Sequence, residues 1–109
     1  MDLQLPRPIQ AFVRAENSGD VEAISECFAP NATVRDEDRY YEGLPAIKAW
    51  VARSKREYNH TVTPLEISTS NGNATLKARL SGKFPGSPVT AKFHFALVDD
   101  QIASLQIRS

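Results

Sequence analysis

Asp36 is the residue whose setting points most directly to chemistry. It stands in NATVRDEDRYYEG, residues 31–43, where small or β-branched Ala32, Thr33 and Val34 read as a strand. The chain then runs straight into Arg35, Asp36, Glu37, Asp38 and Arg39. Successive strand side chains point to opposite faces, so Asp36 shares a face with Val34. If Val34 enters the core, Asp36 is a carboxylate aimed at the interior. A carboxyl group desolvated in an apolar pocket can serve as a general acid or base near neutral pH. Its structural alternative is an ion pair with Arg35 or Arg39, or a bond to a helix-end amide, that fixes the strand's exit.

The other polar candidates are weaker. Glu37 falls on the opposite strand face and Asp38 at the exit, where charges are usually solvated. Tyr40 and Tyr41 follow at the expected mouth of a pocket, placed to offer a hydroxyl to a ligand or to pack a ring at its rim. His60 and His94 are each an acid–base partner in prospect for Asp36. Neither has a second His or Cys at ligand spacing, so no zinc site is expected, and no cofactor. Cys27 reads as a small buried hydrophobe. GKFPGS at 82–87 lacks the order of a phosphate-binding loop and precedes no helix. It reads as a shaped connection, or a flap over the pocket.

The elements that must position these groups follow from periodicity. Ile9, Phe12 and Val13 recur at helical spacing after Pro8 and stop at Asn17-Ser18-Gly19. Asp20 is expected to cap a second helix, DVEAISECFA, with Val21, Ile24 and Phe28 inward and Pro30-Asn31 closing it. Pro45 starts a third, with Ile47, Trp50, Val51, Ser54 and Tyr58 on one stripe. From His60 the period becomes two. Ala74, Leu76, Ala78 and Leu80 alternate with polar residues, as do Val89, Ala91, Phe93, Phe95 and Leu97. Asp99-Asp100 is a turn, and Ala103, Leu105 and Ile107 form the inner side of the last strand. Such alternation marks antiparallel strands with one buried face.

The order predicts a single α+β domain over residues 1–109. Three helices from its N-terminal half pack over the concave face of a curved antiparallel sheet. A cavity left between helices and sheet is where a hydrophobic small molecule would bind. Its expected lining is Phe12, Phe28, Val34, Tyr40, Trp50 and Phe93, with the alternative that Phe12 and Trp50 are plain core.

Composition narrows the function classes. Thirteen basic and thirteen acidic residues leave no net charge, removing the electrostatic footprint of a nucleic-acid binder. Apolar runs fall far below the ~18 residues of a membrane span. MDLQLPRPIQ has neither region of a signal peptide. Cys27 is the only cysteine, which excludes an internal disulfide and fits a reducing compartment. The expected location is cytoplasmic.

NSGDVEAISECFAPNATVRDEDRYYEGLPAIKAW resembles the N-terminal half shared by the nuclear transport factor 2-like superfamily, which includes ketosteroid isomerases and SnoaL-like polyketide cyclases. The matching features are Gly19-Asp20, Phe28-Ala29, Ala32-Thr33-Val34, and Glu42-Gly43 ahead of a helix with Ala46-Ile47. The closing FHFALVDDQIASLQI resembles the family's last strand pair. The resemblance implies a cone-shaped α+β barrel with a pocket in its open end, and a homodimer through the outer sheet face. In ketosteroid isomerases the aspartate directly after A-T-V-x is the base, and Asp36 stands there. Their first-helix tyrosine donor corresponds to Phe12, which cannot donate. Their second donor lies on the strand holding Phe93 and His94, where alternation points Phe93 inward. Losing such a donor typically costs ~10²–10³ in rate, which argues against steroid isomerisation. The resemblance therefore implies a domain that binds a hydrophobic small molecule, with cofactor-free isomerase, cyclase or dehydratase chemistry based on Asp36. The alternative is a non-catalytic ligand-binding or dimerisation domain.

Overall fold

The computed structural model describes residues 3–108. Helix α1, Arg7–Ser18, has a proline in its first turn and ends on Gly19, whose φ of 76° lets its N–H reach the Ala15 carbonyl. Phe12, at the centre of its buried face, packs against Phe28, Phe93 and Phe95, with ring centroids 5.7, 6.1 and 5.7 Å away.

The expected second helix is a correction. The chain makes a 3-10 turn at Val21–Ala23 and a single helical turn, α2, at Ile24–Cys27. Asp20 makes no side-chain cap bond, and the backbone is already extended at Phe28. A segment this short cannot propagate a helix on its own. Phe28 therefore opens strand β1, Phe28–Asp36, and Pro30-Asn31 lies inside it. The register of β1 shifts between Phe28 and Thr33, an irregularity that accommodates a proline.

A second difference follows at once. After Asp36 the chain turns at Glu37, φ 60°, and returns as a short strand β2, Arg39–Glu42. Tyr40 and Tyr41 thus belong to a hairpin partner of β1, with Asp36 opposite Arg39. Helix α3, Leu44–Tyr58, begins with Pro45 in its first turn and ends at left-handed Asn59.

Strands β3 (Thr61–Ser70), β4 (Asn73–Ser81), β5 (Val89–Val98) and β6 (Gln101–Arg108) form the antiparallel meander that the alternation predicts. Asp99 and Asp100 both have positive φ, the geometry of a two-residue hairpin turn. Register slips between Ala96 and Leu97, so Ile102 is fully buried while Ala103 is only half-buried. The curved, unclosed sheet runs β2-β1-β6-β5-β4-β3, and its β1–β6 pair is parallel. The sheet is therefore mixed, because the first and last long strands meet at its middle. Three helices pack on one face, giving the expected α+β cone. No helix among the described residues is long and apolar enough to cross a membrane.

Candidate functional site

A cavity of about 440 Å³ opens between α3, the inner sheet face and the β4–β5 connection. That size suits a small molecule. Its apolar walls include Trp50 from α3, Phe84 and Pro85 from the connection, Phe93 from β5 and Ile107 from β6. Its polar groups are Glu16, Asp36, Glu37, Ser54, Tyr58 and His60. The mouth continues into a polar groove bordered by Asp38, Arg39, Tyr41, Arg53 and Glu57.

Asp36 ends β1 on the same face as fully buried Val34, and its half-buried carboxylate lines the cavity. The Trp50 indole Nε1–H donates to Asp36 Oδ2 over 3.2 Å. No ion pair among the described residues reaches this carboxylate. Arg35 instead stacks over the Tyr40 ring at 5.6 Å. Arg53 donates to the Tyr41 hydroxyl at 2.7 Å. Asp36 is thus oriented by one neutral donor and has no cation in ion-pair contact among the described residues.

On another wall, α1 delivers Glu16 to the cavity, only 3% exposed. His60 Nε2 lies 2.5 Å from Glu16 Oε2, and the other ring nitrogen, Nδ1, is buried with no hydrogen-bond partner. The pair is held in place from both sides. Asn17 exchanges two hydrogen bonds with the Val62 backbone, at 2.7 and 3.0 Å. Lys55 Nζ donates to the His60 carbonyl at 2.6 Å.

With this geometry in place, residues 9–105 match the sequence model of the SnoaL-like domain family. The chain belongs to that family. A candidate polyketide cyclase from Sinorhizobium meliloti is 38% identical over 95% of both chains, with a TM-score of 0.92. A ketosteroid isomerase-like protein from Catenulispora acidiphila, crystallised with trimethylamine, is 21% identical over 97% of this chain and 87% of its own, TM-score 0.86. A candidate SnoaL-like polyketide cyclase from Jannaschia is 18% identical over 99% and 90%, TM-score 0.76. The last two show the fold alone. No curated protein matches the chain.

Within this SnoaL-like domain, Asp36, Trp50 and Phe93 meet at the cavity. Phe12, Phe28 and Val34 do not line it: each is fully buried, and the two phenylalanines pack edge-on against each other in the core. Tyr40 is 54% exposed on edge strand β2, away from the cavity. His94 lies on the other face from Phe93, its Nδ1 3.2 Å from the Thr75 hydroxyl. Glu37 is exposed, as expected, at the turn that follows β1, where it borders the cavity. Glu16 escaped the motif reading, although it continues the stripe Ile9, Phe12, Val13 at helical spacing. An acid on an apolar stripe was the available signal. Burial pushes the Cys27 thiol from its ordinary 9.0 up to about 12, as expected of a structural cysteine.

Proposed function

We propose that this SnoaL-like domain binds a small molecule with a largely apolar body in the cavity and moves a proton on it with Asp36. The observation that carries the reading is the Asp36 carboxylate: fixed by the Trp50 indole, without a cation, and facing aromatic and aliphatic walls. A base of this kind removes a proton from carbon beside a carbonyl group. The Tyr58 and Ser54 hydroxyls line the same cavity and are the candidate donors to the enolate oxygen that develops. The proton then returns from Asp36 to another carbon, as in an isomerisation, or the enolate carbon adds to a second carbonyl of the same ligand to close a ring, and the proton passes from Asp36 to the alkoxide formed as that C=O π bond breaks. The S. meliloti relative, described as a candidate polyketide cyclase, supports chemistry of this class. The reading includes a cytoplasmic location and a homodimer through the outer sheet face.

A second reading, ligand binding without turnover, is favoured by Phe12. At the first-helix position of the isomerases' hydroxyl donor, this chain holds a phenyl ring sealed in the core.

The test is α-proton exchange of 2-tetralone in D2O, followed by NMR, with wild type and Asp36→Asn. The first reading expects the wild type to accelerate exchange and the variant to lose ~10²–10⁴ of that rate. Stabilisation by the ketone with no exchange in either protein supports the second reading. Neither binding nor exchange contradicts both.

A further inference from the structure

We infer that the ligand carries a hydroxyl group, an alcohol or a phenol, that donates to Glu16 Oε1 inside the cavity. The inference rests on the cavity being a ligand site and names the class of ligand. Glu16 is the most deeply buried acid of the lining, its side chain 4% exposed. Its two oxygens differ. Oε2 is held by His60 Nε2, whereas Oε1 has no hydrogen bond among the described residues. His60 Nδ1 is the only sealed side-chain nitrogen or oxygen without a partner among those residues, so Oε1 is not sealed. The open space beside Glu16 is the cavity, and that oxygen faces whatever fills it.

The pair's own hydrogen bonding makes Oε1 an acceptor. With the proton on His60 Nε2 and Glu16 ionised, only a lone pair is left at sealed Nδ1. The reverse arrangement, an acid donating to Nε2, would strand an N–H there, and buried N–H groups without an acceptor are rare. An ionised carboxylate only accepts. The protein's nearby donors are already used: the Asn17 amide bonds the Val62 carbonyl, and Lys55 bonds the His60 carbonyl. A carboxylate oxygen among apolar walls is costly until a donor reaches it. A neutral O–H passes such walls at less cost than a charged group, and its bond to a carboxylate is roughly twice as strong as one between neutral groups. Ketone and ether oxygens, which only accept, gain nothing at this oxygen.

Three probes make the test: 2-tetralone, 6-hydroxy-2-tetralone and 6-methoxy-2-tetralone, titrated at pH 7 by calorimetry. Wild type is expected to bind the hydroxy ketone about tenfold tighter than either of the others. In Glu16→Gln the amide oxygen can still accept from His60 Nε2, which turns the amide N–H2 towards the cavity in place of Oε1. That variant should bind the hydroxy and methoxy ketones alike, and its thermal unfolding shows whether it is folded. Asp36→Asn, which can still accept from Trp50, should keep the hydroxyl preference. A wild type with no preference for the hydroxyl overturns the inference while leaving the ligand site standing. So does a preference that survives in Glu16→Gln and is lost in Asp36→Asn, because the hydroxyl then belongs to Asp36. Binding by none of the three overturns both the inference and the ligand site.

Discussion

The Trp50 indole and the Asp36 carboxylate, 3.2 Å apart, join the middle of α3 to the last residue of β1. One bond gives a nearly buried indole N–H its acceptor and gives the carboxylate a fixed direction. A neutral donor orients a charge without cancelling it, which an arginine could not do. This is what separates Asp36 from a structural ion pair.

Replacing Trp50 by Phe keeps most of the ring and removes the donor. Hydrogen bonds to charged groups contribute roughly 1.5–3 kcal/mol when buried. With Asp36 half-buried, the expected loss in urea unfolding is about 1–2 kcal/mol. Asp36→Asn retains an acceptor and should cost clearly less than Asp36→Leu.

The Glu16–His60 pair should behave as a unit. Removing one partner strands the other in a nearly water-free site, so Glu16→Leu or His60→Leu should each cost roughly 3 kcal/mol. The double variant should cost much less than the sum, a coupling above about 1 kcal/mol in a double-mutant cycle. Additive losses would mean that the two side chains act independently.

Much of this architecture can be read from the chain. Strand parity put Val34 and Asp36 on one face because a period of two leaves no other choice. Alternation likewise separated Phe93 from His94. What could not be read depends on distant sequence or on competition between short segments. The parallel β1–β6 pair brings Thr33 beside Ser104, and no local pattern encodes that partnership. DVEAISECFA has a helical stripe, yet packing of Phe28 against Phe12 draws its end into a strand. Tyr40 looked like a rim residue because the turn at Glu37 was not visible; with the turn made, β2 carries it to the sheet edge.

Gly82 lies where the cavity wall meets the end of α3. A Cβ there would stand 2.7 Å from the Tyr58 carbonyl oxygen and 2.9 Å from His60 Cα, both backbone atoms. Gly82→Ala should therefore destabilise by ~1–3 kcal/mol in thermal or urea unfolding. The shift should also appear in the NMR signals of His60.

Cys27 is fully buried, and its raised ionisation favours the neutral thiol in the native state. Iodoacetamide at pH 8 should leave native protein unlabelled and modify it at the rate of unfolding. The sign of the linkage follows from the folded state holding its proton more tightly. This contribution to stability is whole below pH 9.0 and is lost as pH rises towards about 12. Rapid labelling of folded protein would contradict the burial.

The central claim is that ligands enter the cavity bounded by Asp36 and Trp50. The chain has one tryptophan, so its indole N–H gives a single cross-peak in a ¹H–¹⁵N NMR spectrum. Titrating 2-tetralone into labelled protein should move that peak saturably, and Asp36→Asn should alter the response. A ligand that binds and stabilises the protein while the indole signal stays still would place the site elsewhere and contradict the account.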